Sequence, residues 1–526
     1  MSPQWETVTS ERRVLAVART VTSLNRLLEV LVVFGDDPRV GVEFVVSSGS
    51  RFGAEVPAVL RRLGARIVDW DDAVATTYDL ILSASEHDDL HELQGPLVLL
   101  PHGAGFQKHS PHNVAGTRER AGLTTRALWH DDRRVPSLVV VSHRNQRRLL
   151  PEFADRILVA GDPAMDALIQ LAGHREELRR QFGLQPGQRL VTVTSTWGPR
   201  SLLGRWPTLP PQLLAELPLD EFRVAAVLHP NVWAEHGGWQ IRNWLRTALA
   251  SGLILVPPTG PWQSALAAAE CVIGDHGSLS AYATGLGTPL ILGAFGAEEV
   301  PRDTAMWQLG RTAPRLDGHL SLADQIRAAL SSVDINRGLA AEVFEREGQS
   351  LDILQREFFE MLGLAPVHRP RAAVPEVWDA RPPNIRAFQV EVADDGSALR
   401  VERFPAELDE FARPGAARRL VAYGNAEEAI LQRAAAIVAP DATDGSWASA
   451  TLDRYPGCRL VVAPKNPTSA ALTARHGRTA YSMTYRGIDG VVAAAIWLYL
   501  RAEGFERTEV TATVGDAAGS VEVTSH

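Results

Sequence analysis

A chain of 526 residues is too long for one hydrophobic core, and 45% hydrophobic with 22% charged residues is the composition of a globular protein of two to four domains. A net charge of -9, with no block of consecutive Lys and Arg, excludes the electrostatic footprint of a nucleic-acid-binding protein. Two cysteines, Cys271 and Cys458, exclude a disulfide frame or a Cys-based zinc site and point to a reducing compartment.

The opening segment MSPQWETVTSERR has no apolar core behind a positive cluster, so no signal peptide is expected. The longest apolar run, VVAAAIWLYL at 491–500, is about half of the ~20 residues a membrane span needs. The expectation is a cytoplasmic protein whose membrane contact is at most peripheral. Over the first 155 residues, short β-branched runs alternate with helical patterns. RVLAVAR (13–19), VEFVVSS (42–48), ARIVDW (65–70), YDLILSAS (78–85), PLVLLPHG (96–103) and SLVVVSH (137–143) read as strands. SLNRLLEVLVVF and GAEVPAVLRRLG lie between them with apolar residues at helical spacing. Such strands separated by helices predict a Rossmann-like parallel sheet covered on both faces.

The pattern restarts over 156–363, with DRILVAGDP (155–163), RLVTVTST (189–196), FRVAAVLHP (222–230), LILVPP (253–258), CVIGDHG (271–277) and TPLILGAF (288–295) as strands. A Pro-rich linker is expected at 364–385. A third domain over 386–526 opens with a hairpin turned at Asp395 and Gly396 and contains a helix through IDGVVAAAIWLYLRAEG. The predicted fold class is α/β: two doubly wound domains facing a cleft, with an appended C-terminal α+β domain.

Ligands of open parallel sheets bind outside the carboxyl ends of the strands. Those ends carry PHGAGFQK, AGDP, TSTWGP, LHPN and GDHGS. Each has a bland reading, since a lone His at a strand end is commonly structural and Gly-rich turns are frequent. Their coincidence along one edge of two sheets is what marks a cleft. In GDHGSLSAYATGLGTP, a helix amino terminus with a hydroxyl behind it suits a diphosphate, with His276 as a further donor; the bland alternative is an N-cap at Ser278. His229 and Pro230 end one strand, and Ser195, Thr196 and Trp197 end another. His102, in the first domain, stands where an acceptor hydroxyl would lose its proton, with Lys108 able to neutralise phosphate. No Walker loop, GxGxxG or HExxH occurs, so neither a cofactor nor an obligatory metal is expected.

The order of PHGAGFQK, AGDPAMDAL, TSTWGP, LHPN and GDHGSLSAYATGLGTPLI resembles that of the CDP-glycerol glycerophosphotransferases, the teichoic-acid-polymerase-like branch of the glycosyltransferase-B architecture. The resemblance covers roughly residues 1–360. It implies a catalytic base at His102 beside Gly103, with Lys108 closing that motif, and a phosphate-contacting His229. It also implies a diphosphate site at Asp275 and Ser278, where His276 and Gly277 depart from the family pattern. It further implies a nucleotide-linked donor, CDP-glycerol or a nucleotide sugar, and an acceptor hydroxyl. AGDPAMDAL and the GDHGS helix are also similar to nucleotide-sugar 2-epimerases; that activity would need cleft carboxylates, for which Glu86 and Asp162 are the candidates. A third reading is a non-catalytic nucleotide-binding scaffold.

Overall fold

The computed structural model describes residues 9–47, 50–85, 89–110, 119–332, 337–370, 384–415, 417–441, 445–475, 481–502 and 509–525. The apolar runs become parallel strands, because a strand covered by helices on both faces has no solvent side to keep polar. In the first domain these are β1 (Arg12–Ala18), β2 (Val40–Val46), β3 (Ile67–Val68), β4 (Leu80–Ser83) and β5 (Leu97–Leu99). A small antiparallel pair, β6 (Trp129–His130) and β7 (Arg133–Arg134), precedes β8 (Leu138–Val141) and β9 (Ile157–Val159). The sheet order is β3-β2-β1-β4-β5-β8-β9 and every neighbouring pair is parallel. The chain reverses direction across the sheet between β1 and β4, which opens a crevice at their carboxyl ends.

The first crossover helix, Val21–Leu31, starts where Thr20 and Ser23 cap each other: the Ser23 N–H donates to Thr20 Oγ1 at 3.2 Å and the Thr20 N–H to Ser23 Oγ at 2.9 Å. It buries Val21, Leu24, Leu27 and Val30 against Val14 and Ala16 of β1. The second domain repeats the plan with β10 (Arg189–Ser195), β11 (Phe222–Leu228), β12 (Ile254–Val256), β13 (Cys271–Gly274) and β14 (Leu290–Leu292). Their order, β12-β11-β10-β13-β14, puts the second reversal between β10 and β13.

Three expectations need correction. The 155–163 strand does not open the second domain: β9 pairs with β8 and completes the first sheet. The second domain does not run unbroken to 363 either. The helix Ser350–Met361 returns to the first domain, where Leu354, Phe358 and Phe359 join the core of Val14, Ala16 and Leu27, with the Phe358 ring 6.1 Å from that of Phe34. The 65–70 run is a strand only at Ile67–Val68, since a new helix begins at Trp70. The two crossings between the domains lie side by side: a Cβ on Gly161, at φ +84°, would stand 2.5 Å from the Glu345 carbonyl oxygen. Of the expected linker, residues 371–383 lie outside the described residues.

The C-terminal domain is more specific than the α+β expectation: among the described residues, nine strands between Ala387 and Ser525 close into a barrel. Its first hairpin, Ala387–Asp394 with Leu399–Pro405, turns where expected, with Asp395 Oδ1 accepting from the Ser397 and Ala398 N–H groups. The helix Gly490–Ala502 is buried on all sides from Gly490 to Leu498 and shares one core with residues from every barrel strand, which explains a run that is apolar around its whole circumference. The barrel packs on the amino-terminal edge of the second sheet, away from its carboxyl ends. There Leu408 enters that domain's core, Arg403 bridges Asp220 and Asp489, and Arg327 pairs with Glu221 and Glu402. Among the described residues no helix is long and apolar enough to cross a membrane.

Candidate active site

The carboxyl ends of the two sheets face each other across a cleft of about 600 Å3 whose described lining ends at Met306, so none of the described barrel residues takes part. From the first domain come the β1 and β4 exits, Arg19 and Ser85, and the β5 exit from Pro101 to Ser110. From the second come the β10, β11 and β13 exits at Thr196, His229 and Asp275. Both reversal points therefore open into one space, as paired doubly wound sheets require.

His102 stands at the β5 exit with its side chain open to the cleft, although the walls of both domains enclose it. That enclosure and the nearby Arg26 cation hold its imidazole below the ordinary value, while a hydrogen bond with the Ala84 backbone acts the other way. Its ring is therefore neutral at neutral pH. The next residue carries the domain contact: a Cβ on Gly103 would lie 2.7 Å from Ser278 Oγ, so the absence of a side chain lets the β5 turn meet the helix Ser278–Leu286. That helix starts at Gly277, whose N-cap position supplies no side-chain bond, correcting the N-cap expected at Ser278. The first amides of a helix have no acceptor within it, so the amino terminus presents donors and the positive end of the dipole to the cleft.

Lys108 crosses the cleft and donates from Nζ to Thr196 Oγ1 at 2.9 Å. Burial lowers its pKa from the ordinary lysine value, opposed by the Asp275 and Glu299 carboxylates. Its neighbours tie the same strap to the second domain: the Met306 N–H donates to Gln107 Oε1 at 3.2 Å and the His109 N–H to the Glu299 carbonyl at 2.8 Å. His229 is anchored by its Nδ1, which accepts from the Asn231 N–H at 3.1 Å. Burial, with Lys108 and His102 adding repulsion, pushes its pKa down to about 3. It is thus a neutral ring whose Nε2–H is a donor on the cleft wall.

Four expected binding residues have other partners. The Asp275 carboxylate, buried, accepts three backbone N–H bonds: Thr196 and Leu202 at 2.8 Å and Gly277 at 2.9 Å. These bonds pin the 196–202 and 275–277 loops to each other at the cleft wall. His276 is buried with Nε2 2.8 Å from Glu299 Oε2, while Nδ1 accepts from the Gly296 N–H at 3.1 Å, so both ring nitrogens are engaged away from a ligand. Ser195 Oγ donates to the Thr196 carbonyl and accepts from the Leu203 N–H, which holds the loop. Asp162 is not part of the cleft lining: its carboxylate caps the helix Pro163–Ala172 and receives Arg26 at 3.0 Å and the Tyr282 hydroxyl at 2.9 Å. Glu86 lies outside the described residues. Trp197 lines the cleft, its ring 5.4 Å from that of Phe52 in the opposite domain.

Sequence reasoning missed Arg26 and Glu29. Both stand on the first crossover helix three residues apart, Arg26 among the buried positions Leu24, Leu27 and Val30, and a charge at such a position was the available signal. Arg26 is buried between Asp162 and Tyr282, and Glu29 Oε2 lies 3.4 Å from its Nη1. Glu29 Oε1 also accepts from Gln263 Nε2 of the second domain at 3.0 Å. Burial, joined by the Asp162 charge and opposed by Arg26 and Gln263, raises the Glu29 pKa to about 7. Among the described residues no group of three or more His, Cys, Asp or Glu is arranged to hold a metal ion.

No protein-family model matches the chain, and no curated protein matches it significantly. Solved structures similar to it include a UDP-GlcNAc 2-epimerase from Neisseria meningitidis bound to UDP-GlcNAc, at 14% identity over 66% of this chain and 99% of that one, with a TM-score of 0.43. The S. aureus MnaA structure with UDP is 12% identical over 69% of this chain and 100% of that one, with a TM-score of 0.42. The wall teichoic acid polymerase TagF is 13% identical over 68% of this chain and 90% of that one, with a TM-score of 0.45. Similarity at this level says nothing about activity, which rests on the cleft's own geometry.

Proposed function

We propose that the cleft transfers a group from a nucleoside-diphosphate-linked donor to an acceptor hydroxyl, with His102 as the base. The observation that carries this reading is the contact of the His102–Gly103 turn with the amino terminus of the helix Ser278–Leu286. A neutral imidazole and an anion-stabilising helix end meet there from opposite domains. One ring nitrogen of His102 is held by the Ala84 backbone, leaving the other to take the acceptor proton. The acceptor oxygen then bonds to the electrophilic centre of the donor as the bond to the leaving phosphate oxygen breaks. In glycerophosphate transfer that centre is phosphorus and a nucleoside monophosphate departs; in glycosyl transfer it is the anomeric carbon and a nucleoside diphosphate departs. The helix amides, Lys108 and the His229 Nε2–H stabilise the negative charge that develops on the leaving group.

The test begins with a thermal-shift panel of CDP, UDP, GDP, ADP and their glycerol and sugar conjugates. A ligand at about 100 times its Kd stabilises the folded chain by ~2.7 kcal/mol, so at least one nucleotide should raise the melting temperature, and none doing so defeats the reading. His102→Ala should then cut turnover by about 100- to 10,000-fold while leaving nucleotide binding nearly unchanged. Loss of nucleotide binding in that variant assigns His102 to the donor site instead.

Glu29 supports a second reading. A cleft carboxyl ionising at about 7 is suited to exchanging a proton with a substrate carbon, as 2-epimerisation requires. Incubation of a nucleotide sugar in D2O without an acceptor separates the two: deuterium entering the sugar ring indicates epimerisation, and transfer chemistry leaves the ring unlabelled.

A further inference from the structure

Phe52, on the loop after β2, and Trp197, on the loop after β10, reach across the domain boundary until their rings are 5.4 Å apart at an interplanar angle of 60°. Both are partly buried and both line the cleft, whose wall also carries the hydroxyl residues Ser50 and Ser85. We propose that this aromatic pair is the acceptor subsite and that it selects an uncharged sugar ring. The inference rests on the transferase reading above and names the acceptor class for it.

Three features support the choice of ligand. First, aromatic faces pack against the C–H faces of a sugar ring, while neighbouring hydroxyls take its O–H groups, so a wall mixing the two chemistries suits a ring with an apolar face and a polar rim. Second, the two arginines that adjoin the pair in sequence already have carboxylate partners. Arg51 lies over the Phe52 ring and bonds to Glu235 at 2.5 Å, and Arg200, three residues after Trp197, pairs with Glu298 at 3.3 Å and Glu299 at 3.4 Å. A neutral acceptor leaves these pairs in place, whereas a phosphate would compete with the carboxylates for the same guanidinium groups. Third, Trp197 follows Thr196, which holds Lys108 across the cleft. A ring lying on Trp197 is therefore next to the groups that would stabilise a departing phosphate.

The spacing also fixes how the ring would lie. A ring sandwiched between two others needs about 3.5–4 Å on each face, which a 5.4 Å centroid distance does not leave. The acceptor accordingly lies across the cleft-facing surfaces of the pair, outside the gap between them.

The experiment uses the full chain, wild type and Trp197→Ala, with Trp197→Phe as the conservative control and thermal unfolding of each to confirm folding. Calorimetry measures CDP and UDP binding. Saturation-transfer NMR and tryptophan quenching measure binding of methyl β-glucopyranoside and methyl N-acetyl-β-glucosaminide, with glycerol, ribitol and tetramethylammonium as comparison probes. Both glycosides are expected to bind through their ring C–H face. Trp197→Ala should weaken them about three- to tenfold, Trp197→Phe should restore most of the affinity, and nucleotide affinity should be unchanged in both. The proposal is overturned if glycoside binding is indifferent to Trp197→Ala, if linear polyols bind as tightly as rings, or if tetramethylammonium outcompetes the glycosides. It is equally overturned if Trp197→Ala weakens the nucleotides instead, since the pair then serves the donor base. Failure of every nucleotide to bind the wild type removes the transferase reading by itself, and the glycoside titration still decides whether the pair holds a sugar ring.

Discussion

Replacing Glu29 with glutamine should make the protein progressively more stable than the wild type as pH rises from 5 to 8. The Glu29 carboxyl, its side chain 18% exposed, ionises at about 7 in the folded chain because burial opposes its charge and Asp162 repels it. In the unfolded chain it ionises near ~4.3. Between those values the native state holds a proton that the unfolded state has released, so wild-type stability falls with rising pH in this window and levels off above the folded value. At ~1.4 kcal/mol per pH unit, the wild type loses roughly 2–3 kcal/mol between pH 5 and pH 8 that the glutamine variant keeps. Glutamine retains an oxygen for Gln263 and removes the titration. It also loses the contact with Arg26, which offsets the two proteins, so the change of their difference with pH is what reports the titration. Urea denaturation of both proteins at a series of pH values, followed by tryptophan fluorescence, measures the effect. Only the difference between the two proteins at each pH matters, so the other titrating groups cancel. A difference that stays level within about 0.5 kcal/mol across the range would show that Glu29 is ionised throughout, and would remove the support it lends to proton exchange in the cleft.

Two further outcomes concern the cleft. Because His102 is held below its ordinary value, the acid limb of kcat/KM should fall below pH ~6.5, with activity rising as pH climbs through it and His102 loses its proton; a limb above pH 7 would assign the essential group elsewhere, with Glu29 the first candidate. Asp275→Asn replaces a carboxylate oxygen that accepts backbone N–H bonds with an amide nitrogen that cannot, so roughly 1–3 kcal/mol of stability and most nucleotide affinity should be lost together in thermal shift. Unchanged affinity in that variant would mean that the loop geometry at 196–202 is not what shapes the anion site.

The periodicity of the sequence determined the two parallel sheets, the appended third domain and the polar strand ends. Each of these depends on local pattern: apolar runs of strand length, helical spacing between them, and Gly, Pro or Ser where the chain must turn. The His102, Lys108 and His229 segments were legible for the same reason, since a polar group directly after a buried strand can reach only one edge of the sheet.

What the polar residues do there was decided by tertiary structure. Asp162 and Asp275 both follow an apolar strand, and nothing local separates them. Yet β9 takes the outer position of the first sheet, where Asp162 meets an arginine 136 residues earlier, while β13 takes the position next to the central strand β10, where Asp275 meets the amides of Thr196 and Leu202. Likewise Glu29 is an ordinary helical glutamate until the second domain buries it, and Phe52 is an ordinary loop aromatic until Trp197 stands opposite. Strand order and domain docking are set by the sum of many weak packing contacts over long sequence separations. Local pattern therefore says where a polar group emerges from the sheet, and only the assembled chain says whether it meets a partner or the ligand.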